Sequence, residues 1–120
     1  MSELVRKLSE RDQKIEVSIR PDRTPKALLE CIQKGYVHLR FPETQGATDL
    51  YVPVDMADTT FNDADFETGT GSIELAGKLT LDYEDVNCRA VIDLATMNGY
   101  GRLEPLVRFL GNSGYLRELT

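Results

Sequence analysis

The 120-residue sequence predicts an α+β domain, a two-layer sandwich with a mixed, mostly antiparallel sheet of about five to six strands and two to three short helices. Three observations carry this. Several segments alternate apolar and polar residues with period 2, the mark of strands with one buried and one wet face. Other segments place apolar residues three and four apart between good capping residues. The one-sided strands disfavour a doubly wound sheet, whose strands are buried on both faces. The length suits one domain spanning residues 1–120.

Taken in order, Ser2 can cap a first helix with Leu4, Val5 and Leu8 on one side, running to about Asp12. Ile15, Val17 and Ile19 then alternate with Glu16, Ser18 and Arg20 as a strand, which Pro21 ends. Thr24 and Pro25 open a second helix, because the hydroxyl caps a free amide and proline at the first helical position loses no needed donor. Ala27, Leu28, Cys31 and Ile32 form its apolar stripe, and Gly35 supplies a left-handed stop. Tyr36–Phe41 alternates again, with His38 and Arg40 on the polar side. Leu50, Val52 and Val54 make a third strand, and Pro53, which cannot donate to a ladder, assigns it to an edge.

Asp55–Gly71 reads as a long acidic loop, well beyond the usual ~4–6 residues of a connection. Ser72–Leu75, Lys78–Tyr83 and Cys88–Ala95 follow as antiparallel strands broken at Gly77 and at residues 84–87, and Asn98–Gly101 reads as a turn. Leu103, Leu106, Val107 and Leu110 recur at helical spacing, with Pro105 in the first turn and Gly111 beyond the end. Tyr115–Leu119 suits a short strand or a helical turn.

Charge is unevenly distributed. The net charge is -6, yet residues 1–40 carry an excess of Lys and Arg, whereas residues 41–77 contain eight Asp or Glu and no Lys or Arg. An acidic chain is a poor direct ligand for nucleic acid or anionic lipid, whereas a one-signed surface speeds encounter with a basic protein. No apolar stretch approaches the roughly 20 residues of a spanning helix, and two cysteines are too few for a disulfide framework. The expectation is a soluble, cytoplasmic protein without membrane contact and without a cofactor.

Candidate chemistry is sparse. His38 is the single histidine, and no Ser or Cys nucleophile or orienting carboxylate can be tied to it by spacing. Arg20, Arg23 and Lys26 surround the start of the second helix, where free amides favour an anion, but no glycine-rich loop precedes it. The pairs Gly69/Gly71 and Gly99/Gly101 lack the rest of a phosphate-binding fingerprint. Cys31 and Cys88 fall on apolar faces and read as small core residues. Asp63, Asp65, Glu67 and Glu74 occupy positions 1, 3, 5 and 12 of a calcium loop, yet Thr68 stands where that loop needs glycine and a strand follows.

These readings lead to a non-enzymatic, acidic protein-binding domain, of inhibitor or immunity type, that presents Asp55, Asp58, Asp63, Asp65 and Glu67 to a basic protein partner. One alternative is a small enzyme or anionic-ligand-binding domain using Arg20, Arg23, Arg40 and His38. Another is a structural subunit with Tyr51, Phe61 and Phe66 as contacts. A loose calcium site at Asp63, Asp65, Glu67 and Glu74 is the metal alternative.

Overall fold

Serine and threonine hydroxyls start both helices. The computed structural model describes residues 2–19, 22–44, 46–108 and 115–117. Helix α1 (Glu3–Glu10) is capped by Ser2, whose Oγ accepts from the Val5 amide at 3.1 Å, and it buries Val5 and Leu8. Helix α2 (Pro25–Lys34) is capped by Thr24, whose Oγ1 accepts from Ala27 N at 3.2 Å. It ends at Gly35, where φ is +104° and the amide reaches the carbonyls of Cys31 and Ile32. Leu28 and Ile32 are its buried side chains, while Cys31 is only half-buried.

The sheet is antiparallel throughout. Its strands are β1 (Gln13–Val17), β2 (Tyr36–Phe41), β3 (Thr48–Pro53), β4 (Ser72–Leu81), β5 (Glu84–Asp93) and β6 (Asn98–Arg108), in the order β3-β2-β1-β6-β5-β4. A short β7 (Tyr115–Arg117) pairs with β6, so these three residues form a strand. With α1 and α2 this gives an α+β molecule of six main strands and two helices.

Alternate side chains of all six main strands point into one core, among them Ile15, Val37, Leu39, Phe41, Val52, Ile73, Leu75, Cys88, Ile92 and Leu103. The helix residues Val5, Leu8, Leu28 and Ile32 belong to the same cluster. Pro53 lies in the strand that ends the sheet order, as its missing donor requires. The sheet nevertheless curls until its two outer strands approach each other. A Cβ on Gly77 would fall 1.9 Å from the Pro53 carbonyl oxygen, and the Asp55 amide donates to Ala76 O at 2.8 Å.

The second half of the chain departs from its sequence reading. Gly77 does not break a strand; β4 runs unbroken through it because the end of β3 passes too close for any side chain. Residues 84–87 are strand as well, since the β4–β5 turn is the two-residue pair Asp82–Tyr83, at φ +50° and +65°. Asn98–Gly101 is not a turn but the start of β6, and the preceding turn closes at Met97 with φ +60°. The helix expected from Leu103 onward is absent through Arg108, where the chain is strand. Leu103 is buried and Arg102 exposed, the period-2 pattern imposed by pairing with β5. Pro105 is tolerated between the end of the β1 pairing at Gly101 and the start of the β7 pairing at Leu106. Leu110 and Gly111 lie outside the described residues.

Candidate functional site

The acidic segment between β3 and β4 is folded onto the sheet. Its first part follows β4: Thr59 Oγ1 donates to Ala76 O at 3.4 Å and accepts from Ala76 N at 3.2 Å. Thr60 and Glu74 exchange backbone bonds of 2.9 and 2.8 Å. Phe61 and Phe66 then pack edge-on, with centroids 6.3 Å apart, against the hydrophobic core. They anchor the segment and are half-buried, which removes both from the set of exposed contacts expected of a structural subunit. Tyr51, the third of that set, is exposed.

The carboxylates divide by what they touch. Asp55 lies 3.6 Å from Lys78 Nζ, and Asp58 lies 3.6 Å from Arg89 Nη2. Asp63 Oδ1 accepts from the Ser72 amide at 3.4 Å. Asp65 Oδ1 accepts from the amides of Glu67 and Thr68 at 2.9 and 3.1 Å, and these bonds hold its carboxyl below the ordinary carboxylate value. Gly71 closes the segment at φ +81°, where a Cβ would lie 2.3 Å from Asp63 O. Asp58, Asp63, Asp65 and Glu67 are exposed, as is Met56.

Calcium would need oxygens that converge on one point. Asp65 instead turns an oxygen to its own backbone, and Glu74 Oε2 accepts from Thr60 Oγ1 at 3.1 Å. Among the described residues no group of three or more His, Cys, Asp or Glu side chains is placed to hold a metal ion.

The basic set is dispersed into other work. Arg23 donates to the carbonyls of Val17 and Met97 at 2.6 and 2.8 Å and to the Asn98 side chain. Its guanidinium therefore ties the start of α2 to the β1 and β6 ends. Arg20 is outside the described residues. Arg40 is exposed and stands between Glu16 and Asp49 in the ladder.

His38 shares the outer face of β2 with Arg40, as the alternation requires. Against the sequence reading, it does have an orienting carboxylate: Asp49 Oδ1 lies 3.1 Å from Nε2. The ring also stacks on Tyr51 at 4.3 Å. Asp49 was missed because it lies across the β2–β3 ladder, where only register reveals a neighbour. The same limit hid Lys78 and Arg89 as counter-ions to the acidic segment.

Cys88 is fully buried, and burial together with the Glu104 charge pushes its thiol up to about 12, the reverse of an activated nucleophile. Comparison with protein-family models and with curated proteins finds no match for this sequence. No helix among the described residues is long and apolar enough to cross a membrane.

Proposed function

We propose that this chain is a non-enzymatic protein-binding domain of inhibitor or immunity type, acting in the cytoplasm on a basic protein partner. Its binding surface is the acidic segment, with the exposed Asp58, Asp63, Asp65 and Glu67 and the half-buried Asp55. The observation that carries the reading is the fastening of this segment. Thr59, Thr60 and the Phe61–Phe66 pair tie it to β4 and the core, while Asp58, Asp63, Asp65 and Glu67 are exposed.

A charged surface held in place loses little conformational freedom on binding, so its charge complementarity is expressed as fast association. The scaffold for this role is the two-layer α+β sandwich expected from the sequence. Direct nucleic acid binding and membrane binding play no part in the proposal.

The test is affinity capture from the source cell. Wild type should retain a basic protein at low salt and lose it near 1 M, where the screening length is about 3 Å. The variant with Asp58→Asn, Asp63→Asn, Asp65→Asn and Glu67→Gln should retain none. Equal capture by both proteins contradicts the proposal.

A second reading has one observation behind it, the His38–Asp49 pair at 3.1 Å. If His38 serves as an acid or base for an anionic ligand held by Arg40, His38→Ala lowers turnover by ~100-fold or more. On the binding reading the same substitution leaves partner affinity unchanged.

A further inference from the structure

We propose that the outer face of β1, β6, β5 and β4 is the contact surface between two copies of this chain. One row of side chains crosses that face in register: Lys14 opposite Tyr100, Tyr100 opposite Val91, and Val91 opposite Glu74. Tyr100 is 56% exposed and Val91 46%, two large apolar groups side by side in the middle of a sheet face. Single exposed hydrophobic residues are ordinary, but a central aromatic–aliphatic pair rimmed by charge has the layout of an interface centre. A hollow of about 410 Å³ lies along the strands on one side of the pair and another of about 310 Å³ on the other side.

The occupant follows from the charges. The row begins with a cation and ends with an anion, so it complements itself when reversed. A two-fold axis parallel to the strands, passing between β6 and β5, sets Tyr100 of one copy on Val91 of the other, twice over, and brings Lys14 of each copy to the same edge of the contact as Glu74 of the other. An isologous contact requires this self-complementarity. Four arginines meet near this axis, Arg89 and Arg102 of each copy, and each has carboxylates of its own: Glu104 and Asp58 for Arg89 at 3.1 and 3.6 Å, and Asp12 for Arg102 at 4.0 Å. Their mutual repulsion across the axis is thereby reduced. The row Lys14, Tyr100, Val91 and Glu74 contains none of the five carboxylates assigned to the basic partner. Asp58 approaches this face, at Arg89, but the substitutions in the row leave all five carboxylates in place, so either proposal can fail without the other.

Sedimentation velocity over a concentration series tests it. Wild type should move from one to two copies as concentration rises. Lys14→Glu sets carboxylate against carboxylate and should weaken association by about tenfold or more, as should Val91→Asp at the centre. The double exchange Lys14→Glu with Glu74→Lys should restore wild-type association. Circular dichroism of each variant checks that these exposed substitutions leave the fold intact. A wild type that stays monomeric at the highest attainable concentration overturns the proposal. So does a dimer indifferent to both single substitutions, or one that the double exchange fails to restore.

Discussion

Cys88 sits at the centre of the β4–β5–β6 packing, and its thiol is pushed up from 9.0 to about 12, first by burial and then by the Glu104 charge. The unfolded chain releases this proton near pH 9 while the folded chain still holds it, so this contribution to stability is complete below pH 9 and is lost as pH rises towards 12. Urea unfolding from about pH 8 to 11 should therefore show a steeper loss for wild type than for Cys88→Ala. Asp65 has the opposite sign. Its depressed carboxyl stabilises the fold above the ordinary value of 3.8 and ceases to do so as pH falls through the folded value. Asp65→Asn keeps an acceptor for the Glu67 and Thr68 amides and should be nearly silent at neutral pH. Asp65→Ala should lower the unfolding midpoint, because both amides lose their partner.

In the core, Leu28→Ala and Ile32→Ala should each cost about 2–5 kcal/mol by denaturant unfolding. Val91→Ala should change little, within about 0.5 kcal/mol, since the side chain is on the outer face. By residue type Val91 reads as a core position like Leu28 and Ile32, and the structure corrects this. Cys88, Ala90 and Ile92 alternate as the buried set, which leaves Val91 outside although its type invites burial.

At the level of elements, caps and periodicity were legible where both were present. Ser2, Thr24–Pro25 and Gly35 bracket the two helices, and the apolar alternation of β2 is the burial pattern of the folded strand. The β4–β5–β6 region was less legible, because its glycines serve pairing and close approach instead of turns. A Cβ on Gly99 would fall 1.7 Å from Val91 O. Gly99→Ala and Gly77→Ala should therefore unfold at markedly lower denaturant than wild type, a result that glycines in turns of ordinary φ would not give. Leu103, Leu106 and Val107 fit a helical stripe equally well by spacing, and the ladder with β5 decides for a strand. The β4–β5 turn hides for a different reason. Tyr83 holds a left-handed position that glycine would favour, and its side chain is fully exposed. Tyr83→Gly should raise stability by about 1 kcal/mol, measured by the same unfolding transition.

For the whole molecule, the concentration of charge in residues 41–77 was legible, and its structural consequence was not. Composition reveals a block without Lys or Arg. It cannot reveal that Lys78 and Arg89 approach Asp55 and Asp58 from the neighbouring sheet, or that Phe61 and Phe66 anchor the segment to the core. Exposed ion pairs at such separations contribute about 0–1 kcal/mol. Neutralising the segment should accordingly leave the unfolding midpoint almost unchanged while weakening the complex.

The most direct test of the binding account is the association rate constant for the captured basic partner, measured at several salt concentrations with wild type and the four-residue neutralised variant. Wild type should associate faster at low salt by about tenfold or more, and the two rates should converge near 1 M, with dissociation rates differing little. Equal association rates at low salt, or a difference that persists undiminished at 1 M, would contradict the claim that this acidic segment is the partner-binding surface.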